Sequence, residues 1–549
     1  VEAAGQKEEA VVAAAKPDAQ PDAKPESKPD TKPESKPETK ADARKAEPLK
    51  FDASDAWQRV RRITTGGGSK GSLSITPGGD RIITTGDADG GTERALLNFS
   101  FKGDDRRVVQ VGAVSDVRMS LTGDRVSFVR QGSVSAASLG APKVDALAIE
   151  ANIVVRLADQ QSHKFREAAR ILGNGFYHPT LKGLNWPALV ERYDILARRT
   201  RTSDEFDRVV NMLFGELDGS HTGINSSGGF SAPSPATGYL GIDFEAVPGG
   251  YRVTRVLPQG PGDREHSRLK VDDVIVSVDG QRFSATDDAR PRHDFHAMFM
   301  SRAGRELLLE IRRAGESKPV NLLIVPISSG EDTDLRYRDT VQRRTALVNE
   351  LSGGKLGYLH VRSMNEQSVR DFERDLFAAA DGKLGLIIDV RDNGGGSTAD
   401  ILLASLTAPR HTWTAPRGVE LQNVPRDAYP RDRRLIYGFV RPISVLINEN
   451  SFSNAEIFAH AIKTIGRGKL VGTATYGGVI STGAASLIDG STVRTPFRGW
   501  YLPDGRDLEN NGAEPDLNVP QTAADDARGH DAQLKAAVDE LLGRAQPIR

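Results

Sequence analysis

The chain has 549 residues, a formal net charge of −1 at pH 7 and no cysteine. This length exceeds what one hydrophobic core supports, so several domains are expected. The balanced charge gives no indication of a nucleic-acid or anionic-membrane partner, and a chain without cysteine has no disulfide, thiolate nucleophile or cysteine-ligated zinc.

Residues 1–50 are predicted to be a disordered linker. A Lys-Pro-acid unit repeats between residues 24 and 38, and such a segment buries too little apolar surface to offset its ordering entropy. The chain starts at Val1 without the charged and apolar regions of a signal peptide, and no run of about 18 apolar residues predicts a membrane span. Because the first residue is Val1 and not methionine, we expect that an upstream part of a longer protein is missing.

Residues 51–142 show a repeated strand–turn–strand pattern. Leu73–Ile83 and Val117–Val129 each place a Gly-Asp turn between two apolar strands. Their spacing lies within the period of about 40–50 residues that is typical of β-propeller blades. Two blades cannot close a ring, so the pattern predicts a partial propeller, with a small independent β-sheet as the alternative.

Residues 143–228 are predicted to be helical. Apolar residues recur at helical spacing in three segments, Phe165–Leu172, Trp186–Arg198 and Ser203–Leu217. The last segment leads into a Gly-rich loop that carries Ser220 and His221. A Gly/Ser/Pro-rich stretch at 229–235 then predicts a linker.

Residues 236–330 resemble a PDZ domain. Leu269–Gly280 matches the most recognisable strand and turn of that family, and the position of its carboxylate-binding loop is held by Tyr239, Leu240, Gly241 and Ile242. PDZ domains bind extended peptides by adding a strand to a sheet edge, so the resemblance implies peptide binding. A purely structural role is the alternative.

Residues 331–525 alternate continuous apolar strands with helices, which predicts a buried α/β sheet. The strands expected from this pattern are Gly357–Val361, Leu384–Val390 and Ile443–Ile447. Residues 526–549 are predicted to form a C-terminal helix and tail.

Ser453 lies where the strand Ile443–Ile447 passes through a polar turn into a helix. A serine hydroxyl there is exposed beside helix amides that stabilise negative charge, which suits an acyl-transfer nucleophile. The position equally suits an ordinary helix N-cap, and this segment alone favours the cap.

A serine nucleophile also needs a base and donors for the oxyanion. Among the ten histidines, His221 differs because it lies in a Gly-flanked loop directly after Ser220. Taken alone, it would be a surface-loop histidine. Gly394–Gly396 follow a buried strand and can turn bare amides toward a ligand, and the missing GKT or GKS ending argues against a phosphate loop.

These motifs follow one another in an order that resembles the tricorn branch of the tail-specific, C-terminal-processing serine peptidases. The order is a Ser-His pair, a PDZ-like domain, an Asp-Val-Arg-x-Asn-Gly-Gly-Gly loop, a strand–Ser–helix elbow and a Glu-Asn-Asn-Gly segment. The resemblance covers about residues 143–525 and implies a multidomain α+β fold. Its parts would be the disordered tether, the partial β-propeller, a helical part of the peptidase core, the PDZ-like domain and an α/β (crotonase-like) peptidase core.

The resemblance also implies a serine peptidase that hydrolyses peptides or unfolded polypeptides without a metal or a cofactor. The implied roles are nucleophile for Ser453, general base for His221, orientation and polarisation of that base for Ser220 and Glu509, and an oxyanion hole from the backbone amides of Gly395 (or Gly394) and Asn454. A homo-oligomer and a cytoplasmic location are implied as well. A periplasmic or secreted location stays open because the N-terminus is expected to be truncated.

Three alternatives remain. A second branch of the superfamily uses a lysine base downstream of the serine, but Gly478 stands at that place here. An inactive PDZ and propeller scaffold would hold peptides without cleaving them. A crotonase-type acyl-CoA enzyme would share the Gly-rich loop.

Two further expectations concern activity. Hydrolysis should fall as His221 becomes protonated, at about pH 6–7. The segment Ala408–Pro416, expected to line part of the pocket for the residue before the cleaved bond, holds no acidic side chain, so no preference for basic residues is predicted.

Overall fold

The computed structural model describes residues 54–64, 69–87, 93–140, 143–149, 154–226, 236–283, 291–413, 415, 417–423, 432–434 and 438–545. The predicted N-terminal tether and the linker at 229–235 lie outside these residues. The chain divides into two compact units, Val1–Ile153 and Val154–Arg549. Among the described helices, none has both the length and the apolar character that crossing a membrane requires.

The first unit contains two four-stranded antiparallel sheets, each with its strands in sequential order. One consists of β1 (Gly71–Ile75), β2 (Arg81–Asp87), β3 (Arg94–Ser100) and β4 (Arg107–Val111), and the other of β5 (Ser115–Met119), β6 (Arg125–Arg130), β7 (Ser133–Ser138) and β8 (Val144–Ala146). The same turn joins the first two strands of each sheet: Thr76 Oγ1 donates to Asp80 Oδ1 at 2.6 Å, and Ser120 Oγ donates to Asp124 Oδ1 at 3.0 Å. The predicted repeat is confirmed, whereas two sheets form no closed ring and the propeller stays a prediction.

The second unit begins with a helical layer made of α1 (Leu157–Gly175), α2 (Trp186–Ala197) and α3 (Ser203–Gly215). The predicted helices are confirmed, and α1 extends beyond its predicted ends. At the start of α3, Thr202 and Glu205 form a reciprocal capping box, which ties the helix start to the preceding chain. Buried aromatic side chains, including Phe165, Phe206 and Phe214, fill the space between the helices.

The described part of the PDZ-like region is an antiparallel sheet with one α-helix. Its elements are β10 (Ile242–Val247), β11 (Gly250–Val256), β12 (Val274–Val278), β13 (Gln281–Arg282), α4 (Pro291–Met298), β14 (Leu307–Arg312) and β15 (Val320–Ile324), and β9 (Gly223–Asn225) precedes them. The sheet order is β10-β11-β12-β14-β15, with β13 paired to β12. β10 is therefore an edge strand.

The predicted α/β core follows the PDZ-like region. Its elements, together with the long helix that precedes it, are α5 (Ser329–Leu351), β16 (Leu356–His360), α6 (Glu366–Ala380), β17 (Gly385–Asp389), α7 (Ala399–Thr407), β18 (Arg410–Trp413), β19 (Asp432–Arg434), β20 (Ile443–Ile447), α8 (Asn454–Thr464), β21 (Lys469–Gly472), β22 (Ile480–Ser486), β23 (Thr492–Gly499), β24 (Leu517–Asn518), α9 (Ala523–Ala527) and α10 (Ala532–Arg544). Five of these strands form a parallel sheet in the order β16-β17-β20-β21-β24.

Helices cover both faces of this sheet, which explains why its strands are apolar without alternation. Leu386 and Ile388 of β17 lie in one apolar cluster with α6, α7 and α8. Ile387 between them lies in another cluster with α5 and α10. The predicted C-terminal helix is thus α10, which together with α5 covers the face of the sheet that carries Ile387.

A separate three-stranded sheet, in the order β22-β23-β9, connects the helical layer to the core. Val493 of β23 pairs with Ile224 of β9, and both side chains join the apolar cluster of α1–α3. The sheet thereby brings the loop before β9, which carries His221, to the parallel sheet.

Candidate active site

The turn between β20 and α8 places Ser453 directly before the first helical residue. Its backbone has φ 58° and ψ −118°, a conformation that residues with a side chain rarely adopt. Ser453 occupies the N-cap position, its N–H donates to Glu456 Oε1 as in a capping box, and the Glu456 N–H donates to the Ser453 carbonyl oxygen at 2.9 Å. The Ser453 Oγ atom instead lies 3.0 Å from Nε2 of His221. The helix-cap alternative therefore describes the position of the residue but not the use of its hydroxyl.

A chain of hydrogen bonds continues from His221 away from the serine. His221 Nδ1 is 2.7 Å from Ser220 Oγ, which donates to Glu509 Oε2 at 2.9 Å. The Ser220 backbone N–H also donates to Glu509 Oε1, at 2.5 Å. The structure thus brings Ser453, His221, Ser220 and Glu509 together in one continuous line.

The imidazole of His221 is almost enclosed, with 8% of the residue exposed. Its ring stacks on Phe452, with centroids 4.8 Å apart and an interplanar angle of 10°. Burial, and to a lesser degree the positive charge of Arg494, lower the pKa of His221 to about 4. A pKa of about 4 lies below the pH of about 6–7 at which the sequence predicts that hydrolysis falls. The reason is that the sequence-based value applies to a solvated histidine, whereas His221 is buried.

Glu509 is also buried, and burial raises the pKa of its carboxyl group. Three donors act in the opposite direction because they favour the charged form: the N–H and O–H groups of Ser220, and the N–H of Val479 at 2.8 Å. The carboxylate therefore keeps a defined orientation toward the Ser220 hydroxyl.

The Gly-rich loop after β17 lies against the serine turn. Gly395 has φ 88°, and a Cβ atom there would lie 2.7 Å from Ser453 Cβ and 2.9 Å from the Asn454 nitrogen. Only glycine allows this approach. The Gly395 N–H donates to Asn393 Oδ1 at 2.9 Å, whereas the N–H groups of Gly394 and Asn454 have no acceptor within the described residues.

A buried ionic network supports the base of this loop. Asp389, fully buried at the end of β17, accepts from Arg391, Arg344 and the Tyr358 hydroxyl. Burial opposes ionisation of Asp389, but the charges of the arginines prevail and hold its pKa below the usual range. Arg391 also pairs with Asp531 at the start of α10. The sequence motif contains Asp389 and Arg391, but their partners come from distant segments.

Glu456, in the first turn of α8, is a site residue that the sequence analysis did not single out. It is fully buried and accepts four hydrogen bonds, from the N–H of Ser453 (2.9 Å), the hydroxyl of Thr475 (2.6 Å), and the N–H groups of Gly477 (2.6 Å) and Gly478 (2.9 Å). The Ser-x-x-Glu spacing at a helix start is the one signal that could have identified it.

Gly478 occupies the place where the dyad branch would have a lysine. A Cβ atom on Gly478 would collide with the Phe452 ring. Because this ring covers the face of His221, a lysine there would disturb the histidine as well.

Known protein families match three parts of the chain: residues 355–519 match peptidase family S41, residues 159–215 the tricorn protease C1 domain, and residues 238–324 the PDZ domain. Tricorn protease homolog 1 of Streptomyces coelicolor is 31% identical over 395 residues, which cover 70% of this chain and 35% of that protein. The chain therefore contains an S41 domain and a tricorn C1 domain, and these matches are consistent with a tricorn-type member of peptidase family S41. The family consists of serine-type peptidases, which confirms the resemblance drawn from the motif order.

Other proteins similar to this chain are also named tricorn protease. The tricorn protease of Thermoplasma acidophilum is 26% identical over 456 residues, which cover 79% of this chain and 40% of that protein. The crystal structure of the tricorn protease superposes with a TM-score of 0.69 at 22% identity, over 87% of this chain and 46% of that one, and shows a shared fold. The chain spans less than half the length of these proteins.

The PDZ-like loop residues lie at one end of the edge strand β10. Tyr239 pairs with Ile327, and the carbonyl groups of Leu240 and Gly241 accept from Gly262 and Leu257. The Ile242 carbonyl accepts from Arg336 of α5, at 3.1 Å. Helix α5 therefore already occupies one acceptor of this edge strand.

Two remaining expectations concern the pocket segment and the need for a metal, and the described residues cover each only in part. In the predicted pocket segment Ala408–Pro416, Thr414 and Pro416 lie outside the described residues. No cluster of His, Asp and Glu side chains suited to a metal ion occurs in the described part of the chain.

Proposed function

We propose that this chain hydrolyses peptide bonds, with Ser453 as the nucleophile and His221 as the general base. The observation that carries the proposal is the 3.0 Å contact between Ser453 Oγ and His221 Nε2. It lies within the range in which a base can take a hydroxyl proton. The partial exposure of Ser453 leaves its hydroxyl open to a substrate.

In the first half of the reaction, Ser453 Oγ bonds to the carbonyl carbon of the substrate as its proton passes to His221 Nε2. The tetrahedral intermediate then loses the amine, which takes that proton from His221, and an acyl-enzyme remains. Water repeats the sequence: it gives a proton to His221 Nε2 as its oxygen bonds to the acyl carbon. The new tetrahedral intermediate then breaks its bond to Ser453 Oγ, which takes the proton back from His221 as the acid leaves. His221 must start neutral, and a pKa of about 4 keeps it neutral at physiological pH.

Ser220 and Glu509 orient the base and stabilise its charge. For Nε2 to accept a proton, the hydrogen of the neutral ring must be on Nδ1, where it is donated to Ser220 Oγ. The Ser220 hydroxyl in turn donates to Glu509. The negative charge of Glu509, one hydroxyl away from the ring, therefore stabilises the imidazolium electrostatically. Burial strengthens this interaction because it excludes water.

The oxyanion would be held by the Asn454 amide on the first turn of α8 and by an amide of the Gly394–Gly395 pair that faces it. The Asn454 and Gly394 N–H groups have no acceptor in the described chain, and the helix N-terminus adds a favourable dipole. The Gly395 N–H becomes available only if it leaves or shares its bond to Asn393 Oδ1.

The substrate class follows from the family and from the domains beside the site. An S41 domain next to a PDZ-like domain supports peptides or unfolded polypeptides as substrates. The relatives named as tricorn proteases support a homo-oligomer, and the two β-sheets of the first unit support blades of a β-propeller.

A fluorophosphonate probe tests the proposal directly. We expect covalent labelling of the wild-type chain and none of Ser453→Ala, together with loss of peptide hydrolysis in that variant at unchanged thermal stability. Ser329→Ala is a suitable control, since Ser329 is an exposed serine at the start of α5. A wild-type chain that is neither labelled nor hydrolytic would instead be the inactive peptide-binding scaffold.

A further inference from the structure

Glu456 uses its full capacity to accept hydrogen bonds on two separate segments. Oε1 accepts from the N–H groups of Ser453 and Gly478, and Oε2 accepts from the Thr475 hydroxyl and the Gly477 N–H. Within the described residues the Glu456 carboxylate pairs with no lysine or arginine. The groups that stabilise it are therefore these four hydrogen-bond donors and the N-terminus of α8.

These bonds exceed what a helix cap requires. In a capping box the glutamate accepts one bond, from the N–H of the cap residue. The Glu205 carboxylate of α3 is the comparison within this chain, and it binds only the adjacent N–H groups of Arg201 and Thr202. Glu456 adds three donors located 19 to 22 positions further along the chain.

The distant donors belong to the segment at 475–479, which also donates a hydrogen bond to Glu509. Gly477 and Gly478 donate to Glu456, and the next amide, that of Val479, donates to Glu509 Oε2. Three consecutive N–H groups therefore join the carboxylate beside the nucleophile to the carboxylate behind the base. The two ends of the hydrogen-bonded line from Ser453 to Glu509 are tied by a short, buried piece of backbone.

The strain at Ser453 makes this tie important. A residue held at φ 58° and ψ −118° is disfavoured and persists only where its surroundings determine it. The bond from the Ser453 N–H to Glu456 fixes the peptide plane that enters this conformation. If that bond is lost, the Oγ atom can leave the position from which it reaches His221.

From these contacts we infer that Glu456 is a positioning residue for the peptidase reaction. It sets the geometry between Ser453 and His221 by joining the nucleophile turn to the segment at 475–479. The inference rests on the proposed function and adds to it, because Glu456 touches no reacting atom and acts only through the placement of those that do.

Glu456→Gln is the main test, since it keeps the shape and replaces one acceptor by an NH₂ group that faces N–H donors. We expect kcat to fall by about 10²-fold, as a displacement of about 1 Å can cause, while KM changes little. The rate of fluorophosphonate labelling should fall in parallel. Thr475→Val removes one of the four bonds to Glu456, together with the bond that Thr475 Oγ1 accepts from the Ala513 N–H, and should lower kcat by about three- to tenfold.

Glu205→Gln is the matched control, because it alters a capping glutamate of another helix remote from the nucleophile. It should lower the melting temperature without changing kcat. We also expect Glu456→Gln and Glu509→Gln to be non-additive, with the double variant close to the slower single one.

Three results would overturn the inference. One is a Glu456→Gln variant that loses thermal stability as Glu205→Gln does but keeps kcat and labelling within about twofold of wild type. If Glu456→Gln does not fold, an unchanged kcat in Thr475→Val has the same meaning. A wild-type chain that the probe does not label removes the proposed function and the inference with it, and is distinct from the first two results.

Discussion

The Ser453 Oγ atom lies 3.0 Å from His221 Nε2, although 232 positions separate the two residues along the chain. Both have a positive φ, 58° at Ser453 and 61° at His221. Two strained residues thus face each other, and each is held by bonds to a buried glutamate, Ser453 to Glu456 directly and His221 to Glu509 through Ser220. Strain that is fixed in this way is typical of a preformed catalytic arrangement.

The pH dependence of hydrolysis should reflect the low pKa of His221. Because that pKa is about 4, kcat/KM should stay level from about pH 8 to pH 5 and fall only below that. Arg494→Ala removes a nearby positive charge that disfavours the imidazolium, so the pKa of His221 should rise and the acid limb should move to higher pH. Arg498→Ala, on the same strand, is the control. An acid limb of the wild-type chain at pH 6–7 would contradict the burial of His221.

Removal of the groups behind His221 should affect turnover more than binding. Ser220→Ala breaks the link to Glu509, and Glu509→Gln removes the charge that stabilises the imidazolium. We expect kcat to fall on the order of 10- to 10²-fold in each, with a small change in KM. Steady-state kinetics on a fluorogenic peptide measures both. Equal losses in KM alone would place these residues in substrate binding.

Gly395→Ala should abolish most activity by a steric effect. The new Cβ atom would lie 2.7 Å from Ser453 Cβ, so the serine turn or the Gly-rich loop has to shift. We expect kcat/KM to fall by about 10²-fold or more. Gly382→Ala isolates the cause, because Gly382 also has a positive φ, 66°, but open space around it. Similar activity losses in both variants would point to backbone strain instead.

Arg336→Ala should make the PDZ-like edge more accessible. Its guanidinium occupies the Ile242 carbonyl and pairs with Asp243 and Asp332. If extended peptides bind along β10, release of one carbonyl acceptor should strengthen binding by about three- to tenfold. Fluorescence anisotropy with a labelled peptide measures this. Arg338→Ala on the same helix is the control, and unchanged affinity in Arg336→Ala would assign α5 and the PDZ-like region a structural role.

Much of the fold and part of the site could be predicted from sequence. The strand Ile443–Ile447 and the helices from Trp186 and Ser203 follow from local apolar patterns, which depend only on neighbouring residues. The order of motifs identified the family and pointed to Ser453, His221, Ser220 and Glu509. Phe452 and Glu456 were missed because their roles depend on what they contact, and nothing in a single sequence marks a ring that will stack on a histidine.

The sequence by itself determined which segments are strands and helices, the succession of domains and the residue types available for acyl transfer. Only the tertiary structure decided that the Ser453 hydroxyl faces His221, that burial lowers the pKa of His221, and that Arg336 covers part of the PDZ-like edge. The physical reason is the range of the interactions: hydrophobic periodicity acts over one or two turns, whereas hydrogen-bond geometry, desolvation and steric contact arise between segments that meet only in the folded chain.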